Sequence, residues 1–493
     1  MERALLTTAE ELTIAEETTS SFESTLETTV ETPREPRAYL VPVAHLTSRR
    51  ESVSLEELSR VRELAVPREL RGPLEERLGG VDLEPLDSPE GVLDLVSQDP
   101  GAIGLVPWED VDPRVKALAV NGVHPLRPGA EVPENYPLDL GEADGPDSGK
   151  LRRVVIGGDM VLDRGLHHAV FQQGRGIDFP LDGGRAAVTW RASEPSEYSE
   201  FGEIHQFRAE RRGEPGAVRE YLNGADLALA NLESPVLANA TYHPEGTTFH
   251  GDLGLLPILA DAGIDGVTLA NNHVLDAGEA GLAETMLHLD DAGIAHAGAG
   301  MDLASAREPM VFDLGGVKVG VLNYQNVPSY EWAWATEGTA GTAPLREDVL
   351  REDIRRLESR VDTVIVMPHW GEEYTATPEP EQVELARSAV DAGADLVAGG
   401  HAHWAKGIEV YEGAPVFYGV GNFLFDQVWS EETSTGIFAE VTLYEDRVIQ
   451  TKPVPFIVLD YGQPNFLLPN GGGKRALNTI FSASLGSEFD GEE

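Results

Sequence analysis

The chain has 493 residues, of which 84 are acidic and 37 are basic, so its formal net charge is −47. This length favours two or three domains, and hydrophobic residues, at 41%, suffice for buried cores. Such an acidic surface argues against binding to nucleic acid or anionic membranes, because attraction to phosphate comes mainly from Lys and Arg. The charge is typical of a protein that stays soluble in a salty or crowded setting, and an acidic patch for a cationic partner is the alternative.

The chain contains no cysteine. Disulfides, thiolate zinc sites and cysteine nucleophiles within it are therefore excluded. A metal site would have to use His, Asp, Glu and Asn, which are the ligands that suit Mn, Mg, Fe or Zn.

The first 150 residues predict three segments. Residues 1–36 are rich in Thr and Glu without helical or strand periodicity, which predicts a disordered leader. Residues 1–36 lack the features of a signal peptide. The chain contains no run of about 18 apolar residues, so no transmembrane helix is predicted. Residues 37–135 combine two strand-like runs with a helical segment capped by Ser54 and Glu57, which predicts a small α/β domain that weakly resembles one lobe of a solute-binding protein. Residues 136–150, dense in Pro, Gly and Asp, predict a linker.

From Leu151 onward, short apolar runs alternate with segments of helical spacing. This alternation predicts an α/β domain over residues 151–460 with a parallel or mixed sheet, followed by a loose C-terminal tail over residues 461–493. Polar residues end nearly every apolar run, and the functional crevice of an open α/β sheet lies at the carboxyl ends of its strands. The side chains expected to converge there are Asp159, Asn231, Glu233, Asn272, His273, His369, His401 and His403.

There are more of these side chains than one metal ion needs as ligands. Their number favours two metals bridged by a carboxylate and a water. Each motif alone also has a simpler interpretation. "GGD" is typical of a turn, "NNH" could cap the next helix, "HWG" could hold a buried histidine, and the histidines of "GGHAHW" could be polar residues in a turn. The metal-site hypothesis depends on the order and placement of all the motifs within one domain.

Six motifs occur in a fixed order: GGDMVLDRG, NLESPV, LANNHVLDAG, MPHWGEEY, GGHAHW and VGNFLFDQ. Together they resemble the poly-γ-glutamate capsule biosynthesis proteins of the CapA type, which look like divergent members of the calcineurin-like metallophosphoesterase superfamily. The resemblance covers roughly residues 151–460. It implies a metallophosphoesterase-like layered sandwich, with mixed β-sheets flanked by helices, beside the small N-terminal α/β domain.

The resemblance also implies roles for individual residues. Glu233 would bridge two metals, and His273 would contact substrate or protonate the leaving group. The implied metal ligands are Asp159 and His403 for the first ion, Glu233 for both, and Asn272, His369 and His401 for the second. Two departures leave a one-metal protein open: Val161 stands where the superfamily has a histidine, and Glu233 stands where it has an aspartate.

A further set of residues is predicted to bind substrate: Asn231, Arg164, Glu373, Tyr374 and Lys406. Arg164 and Lys406 would help to hold an anionic substrate, although each could be an ordinary surface cation. Tyr374 could equally be a pocket wall whose hydroxyl is satisfied elsewhere. Asn422 and Phe423 are interpreted as a structural corner beside the site.

The expected function is a CapA-type protein with a metal-dependent hydrolase-like site that holds one or two divalent ions and acts on an anionic extracellular polymer. One alternative is a general metal-dependent phosphodiesterase or phosphatase. Another is a non-catalytic, metal-dependent binding component of a polymer synthesis or export complex at the membrane. The expected partners are an anionic polymer or phosphoester substrate and such a complex, with no nucleic acid. The resemblance and the absence of cysteine favour an extracytoplasmic, cell-surface location, which the lack of a visible targeting segment weakens.

Overall fold

The computed structural model describes residues 37–129, 135–141, 143–195 and 203–486. The leader predicted for residues 1–36 lies outside these ranges. Within the described residues, no helix combines the length and the apolar character needed to cross a membrane.

The N-terminal part of the described chain forms a mixed sheet. In spatial order its strands are Leu83–Leu86, Leu64–Pro67, Ile103–Pro107, Ala38–His45 and Val115–Ala117, and Asp139–Leu140 also pairs with Ala38–His45. Its helices are Leu55–Leu58, Arg71–Leu78 and Pro89–Gln98. The last of these helices buries Val92 and Val96 in a core shared with the sheet. Ser54 and Glu57 form the capping box that the sequence predicted.

Part of the segment predicted as a linker, residues 136–150, packs on this sheet. Tyr136 is 1% exposed, and its ring stacks on Tyr39 with centroids 4.5 Å apart. The core of this sheet also includes Ile449 from the following domain. An ion pair of 2.5 Å joins Lys452 to Glu51 across the same boundary. Apolar contact and paired charge therefore hold the N-terminal sheet against the larger part of the fold.

Residues 151–486 build two large mixed sheets. The first has, in spatial order, strands Glu203–Arg212, Arg185–Pro195, Gln463–Leu467, Arg447–Leu459, Thr435–Tyr444, Leu151–Met160, Leu227–Leu232, Gly266–Thr268 and Ala295–Ala297, with Asn422–Leu424 added beside Leu151–Met160. The second has strands Met310–Asp313, Lys318–Gln325, Thr363–His369, Leu396–Ala398, Ala414–Phe417 and Ile408–Tyr411. Short strand pairs link Ser52–Val53 to Ala119–Val120, Val236–Leu237 to Gly251–Asp252, and Ala299–Gly300 to Gly341–Thr342.

The two sheets pack face to face. Ile156 and Leu229 of the first sheet share an apolar core with Val321 and Ile365 of the second. The neighbouring Val155 belongs to a different core on the outer face of its sheet, as the two-residue period of a strand requires. Because both faces of these strands are buried, their sequences read as nearly continuous apolar runs.

Helices cover the outer faces of both sheets. Ala217–Asn223, Pro257–Asp261 and Gly278–Ala292 pack on the first sheet. Glu347–Glu358 and Pro380–Asp391 pack on the second. Shorter helices are Arg164–His167, Leu303–Ala306 and Glu431–Ser434. The structure thus confirms the predicted α/β layered sandwich of mixed sheets flanked by helices.

Residues 463–482 differ from the loose tail that the sequence predicted. Gln463–Leu467 pairs with two strands of the first sheet, and Lys474–Ser482 is a helix. That helix buries Leu477 and Ile480 in the core between the two sheets. The Gly- and Asn-rich start of the segment suggested a tail, whereas the apolar residues after it have helical spacing.

Replacing Ile480 tests this packing. Ile480 is 1% exposed, so we expect Ile480→Ala to lower the free energy of unfolding by about 3 kcal/mol through lost burial and cavity formation. Leu287→Ala, at a helix position that is 63% exposed, serves as the control and should change it by less than about 0.5 kcal/mol. Urea unfolding measures both, and equal effects would mean that the C-terminal helix is not part of the core.

Candidate metal centre

The predicted ligands stand at strand ends on one rim of the sandwich. Asp159 lies near the end of Leu151–Met160, where it pairs in register with Asn231 on one side and Asn422 on the other. In the second sheet, His369 ends its strand and forms a backbone bridge to Gly400. Since Gly400 directly precedes His401, both sheets contribute side chains to the same rim.

Two glycines permit this close approach. A Cβ at Gly158 would lie 1.7 Å from the Gly421 carbonyl oxygen, so only glycine fits before Asp159. A Cβ at Gly400 would lie 2.9 Å from Asp159 Oδ1. The "GGD" and "GGH" motifs therefore bring a carboxylate and a histidine loop together.

The histidine loop carries backbone strain. His401 and His403 adopt φ angles of 85° and 55°, in the left-handed region that residues other than glycine rarely occupy. Each such residue costs on the order of 1 kcal/mol, and such residues cluster at functional sites. The loop is thus held in a conformation that the surrounding structure must stabilise.

Two carboxylates at the rim are fully buried. Asp159 accepts hydrogen bonds from Asn231 Nδ2 at 2.8 Å and from the His401 backbone N–H at 3.1 Å. Burial, with a smaller contribution from the negative charge of Glu233, raises the pKa of Asp159 to about 7. Burial likewise raises the pKa of Glu233 to about 8. Neither oxygen of Glu233 has a hydrogen-bond partner among the described residues.

Three buried histidines face these carboxylates. His369 Nε2 lies 2.9 Å from Asn272 Oδ1 and 3.4 Å from Glu233 Oε1. Burial lowers the pKa of His369 to about 4 and that of His403 to about 3. It also places the pKa of His401 well below its usual value. The three imidazoles are therefore neutral near pH 7, which is the form that binds metal ions.

The ligand atoms fall into two overlapping groups. Glu233, His369 and His401 form one group, and Asp159, Glu233 and His403 form the other. Within each group, one candidate ligand atom per residue lies within 4.8 Å of the others. Glu233 belongs to both groups, and each group corresponds to one ion of the set that the family resemblance implied.

These residues fit divalent ions. Carboxylate and imidazole ligands suit Mn, Fe or Zn. In the described part of the chain, both oxygens of Glu233 and His401 Nδ1 are buried without hydrogen-bond partners. Buried polar atoms without partners are costly, and bound cations would satisfy all three.

Asparagines hold the ligands in place. Asn422 Oδ1 lies 2.9 Å from His403 Nδ1, and this contact leaves His403 Nε2 to act as a ligand. Asn272 contacts His369 Nε2, and Asn231 Nδ2 donates to Asp159 Oδ1 at 2.8 Å and lies 3.4 Å from His369 Nδ1. The structure thus brings together all six predicted metal ligands: Asp159, Glu233, Asn272, His369, His401 and His403.

His273 stands beside the two groups and is itself positioned by neighbours. Its Nδ1 lies 2.8 Å from Asp276 Oδ2, and its ring packs on Phe249 with centroids 4.3 Å apart. Asp276 also accepts a hydrogen bond of 2.6 Å from the Phe249 backbone N–H. With Nδ1 held by Asp276, Nε2 can exchange a proton with a substrate.

Among the predicted substrate residues, Glu373 and Tyr374 lie near the ligands. Glu373 Oε1 lies 3.9 Å from His403 Nε2, and the Glu373 side chain is 41% exposed. The Tyr374 ring lies 5.8 Å from the His403 ring. Tyr374 has a φ angle of 60°, in the same left-handed region as His401 and His403, and its backbone N–H donates to the Ala402 carbonyl in the histidine loop at 2.8 Å. Both residues can therefore contact a molecule at the rim.

The two predicted substrate cations are already paired. The Arg164 guanidinium forms an ion pair with Asp426 and donates a 2.7 Å hydrogen bond to the Gly246 carbonyl. Lys406 is 0% exposed and donates to Glu379 at 2.9 Å. Lys406 is therefore not the surface cation of the alternative interpretation, and its ammonium is engaged in the interior instead of facing a substrate.

The sequence did not single out Asn271 or Asp276. Asn271 donates to the Leu232 carbonyl at 2.8 Å and accepts from the His273 backbone N–H at 3.1 Å, so it ties two motifs together. It stood in the "NNH" motif next to a predicted ligand. Asp276 follows His273 by three residues, a spacing that could have indicated a positioning partner.

Substitution at Glu233 should remove more metal than substitution at any single histidine. Because Glu233 belongs to both ligand groups, we expect Glu233→Gln to lose most of the bound metal and His401→Ala to lose about half of it. His288→Ala, at a histidine on an outer helix, is the matched control and should bind as the unaltered protein does. Elemental analysis of purified proteins measures this, and equal metal content in all of them would refute the site.

Metal uptake should also depend on pH. Because burial raises the pKa of Asp159 to about 7 and of Glu233 to about 8, each carries a proton at lower pH that a metal must displace. We therefore expect apparent affinity to rise from pH 6 to about pH 8.5 and proton release to accompany binding at pH 7. Calorimetry in buffers of different ionisation enthalpy counts these protons. No release at pH 7 would contradict buried, protonated ligands.

Solved structures resemble this chain only distantly. The Haemophilus influenzae NAD nucleotidase is 14% identical with a TM-score of 0.37, over 68% of this chain and 57% of that one. A putative 5'-nucleotidase from Staphylococcus aureus is 12% identical with a TM-score of 0.36, over 64% and 54%. At these scores the likeness carries no weight for the site.

Two capsule biosynthesis proteins are more similar to this chain in sequence than these solved structures are. The Bacillus anthracis capsule biosynthesis protein CapA is 32% identical over 228 residues, which are 45% of this chain and 55% of that protein. The Bacillus subtilis PGA biosynthesis protein CapA is 30% identical over 223 residues, or 45% and 58%. The chain thus spans about half the length of these relatives. Residues 153–427, more than half of the chain and all of the candidate centre, match the family described as bacterial capsule synthesis protein PGA_cap, and the chain belongs to that family.

Proposed function

We propose that this protein acts in the synthesis of an anionic capsule polymer as a metal-dependent hydrolase with a dinuclear site. The observation that carries the proposal is Glu233, which belongs to two ligand groups and has no hydrogen-bond partner for either oxygen in the described structure. Family membership supports the process, because its relatives are named for capsule and PGA biosynthesis. A cell-surface location and a membrane-bound synthesis or export complex as partner belong to the same proposal.

The polar residues of the rim have separable roles. Divalent ions held by the two groups would activate water and offset the charge of an anionic substrate. His273, fixed by Asp276, would donate a proton from Nε2 to the leaving atom. Glu373 and Tyr374, beside His403, would contact the substrate chain. Arg164 packs over the Phe249 ring and would support His273 through that ring.

A second candidate is a binding component without turnover. Val161, which stands where the superfamily has a histidine, is 2% exposed in an apolar cluster and offers no ligand atom. The group formed by Asp159, Glu233 and His403 is therefore one ligand poorer than the resemblance would give. The Asp276–His273 pair favours turnover, because a site that only binds metal and polymer has no need of a positioned proton donor.

His273→Ala separates the two candidates. Because His273 belongs to neither ligand group, we expect metal content to stay unchanged while the rate of polymer cleavage falls by about 10² to 10⁴. The assay measures chain shortening of poly-γ-glutamate with added manganese, and a chromogenic phosphodiester tests the phosphodiesterase alternative in parallel. His296→Ala, at a histidine outside the site, is the control.

Turnover of neither substrate by a metal-loaded protein that still binds poly-γ-glutamate tightly would support the binding component. Turnover of the phosphodiester alone would instead identify a phosphodiesterase. A His273→Ala protein as active as the unaltered one would exclude the proposed proton donor.

A further inference from the structure

A cavity lies between the N-terminal sheet and the first large sheet. Its volume is about 420 Å³, within the range of small-molecule sites. One wall comes from residues 51–128, and the other from Arg153, Tyr221 and the strands Thr435–Tyr444 and Arg447–Leu459. Arg153 and Asp159 are six residues apart on the same strand, or about 20 Å. The cavity is therefore separate from the candidate metal centre.

The charge of this cavity is opposite to that of the chain. Acidic residues outnumber basic ones by 84 to 37 overall. Among the described lining residues, the basic ones are Lys116, Arg127, Arg153 and Lys452, and the acidic ones are Glu51 and Glu440. A local excess of positive charge in so acidic a protein is a feature that selects anions.

Ion pairs fix three of these cations, but only two carboxylates balance them. Glu51 accepts a hydrogen bond from Lys116 at 2.6 Å and another from Lys452 at 2.5 Å, so one carboxylate holds two ammonium groups. Arg153 Nη1 lies 3.7 Å from Glu440, and its guanidinium packs over the Tyr221 ring at 4.8 Å. Arg127 is exposed at the edge of the cavity. These contacts fix the side chains of the cavity walls, and the cavity keeps a net positive charge.

Buried polar atoms on the same walls lack partners. Gln450 is 8% exposed, and its Oε1 has no hydrogen-bond partner in the described structure. The same holds for His124 Nδ1 and for Arg153 Nε. Burial lowers the pKa of His124 to about 4, so its ring is neutral. The cavity therefore offers acceptors as well as cations, which a ligand with both an anionic group and N–H or O–H donors would satisfy.

We propose that this cavity binds a small oxyanion, a molecule with a carboxylate or phosphate group and at least one hydrogen-bond donor. Arg127 and Lys452 would hold the anionic oxygens, since guanidinium and ammonium groups form the strongest hydrogen bonds to them. Gln450 and His124 would accept from the donor. An amino acid and an inorganic phosphate ion share this chemistry.

Binding of two probes to the full chain tests the proposal. Calorimetric titration with L-glutamate and, separately, with inorganic phosphate should give one saturable site for at least one probe, and that probe should raise the melting temperature. Arg127→Glu should weaken its binding by about tenfold or more. Arg60→Gln is the control and should bind normally, because Arg60 follows the helix Leu55–Leu58, does not line the cavity and has a side chain that is 73% exposed.

The outcomes separate this cavity from the metal centre. A site here should keep its affinity in His401→Ala, whereas phosphate held by metals would be lost from that variant. Lys452→Gln, which removes a cation from the opposite wall, should weaken binding as Arg127→Glu does, and circular dichroism should show both variants folded. Failure of both probes to bind, or equal affinity in Arg127→Glu and Arg60→Gln, would overturn the proposal while leaving the proposed hydrolase untouched.

Discussion

The burial of two carboxylates at one rim is the constraint on which the site depends. Asp159 and Glu233 are 0% exposed, and a buried charge is costly unless it is paired. The hydrogen bonds that Asp159 accepts within the described structure come from an amide and a backbone N–H, not from a cationic side chain. The histidines around them are held neutral by the same burial. Compensation must therefore come from protons or from metal cations, and neutral imidazoles beside carboxylates favour cations.

The rim depends on long-range packing and on unfavourable local backbone conformations. The strands Leu151–Met160 and Thr363–His369 belong to different sheets, and only the face-to-face packing of those sheets brings their ends together. In the histidine loop, His401 and His403 adopt unfavourable left-handed backbone conformations. The packing of the surrounding sandwich stabilises them. The N-terminal sheet supplies none of these ligands. It lines the cationic cavity near the start of Leu151–Met160, the strand that carries Asp159 at its other end. The same fold thus carries a rim with buried carboxylates and a separate cavity with an excess of basic side chains.

Much of this arrangement could be predicted from the sequence because its signals are local. Apolar runs ending in Asp159 or His369 predicted strand ends, and carboxyl ends of parallel strands within one sheet share an edge. The sequence did not show that these two strands belong to different sheets, which meet by packing face to face. Contacts between distant residues were not predictable. Lys406 pairs with Glu379, 27 positions away, and no spacing rule indicates that pair. The strand Gln463–Leu467 pairs with Arg185–Pro195 across more than 270 residues, so a short polar segment seemed to be a tail. The role of Asn422 likewise depends on the position of His403 in space.

We propose that Glu233 would bind both metal ions, and anomalous scattering from crystals can locate those ions. Crystals grown with manganese, measured at an energy above the manganese edge, should show two peaks about 3.5–4 Å apart, one on each side of the Glu233 carboxylate. One peak should lie near His369 and His401, and the other near Asp159 and His403. A single peak, or no peak, at this rim in manganese-loaded crystals would show that Glu233 does not join two ions.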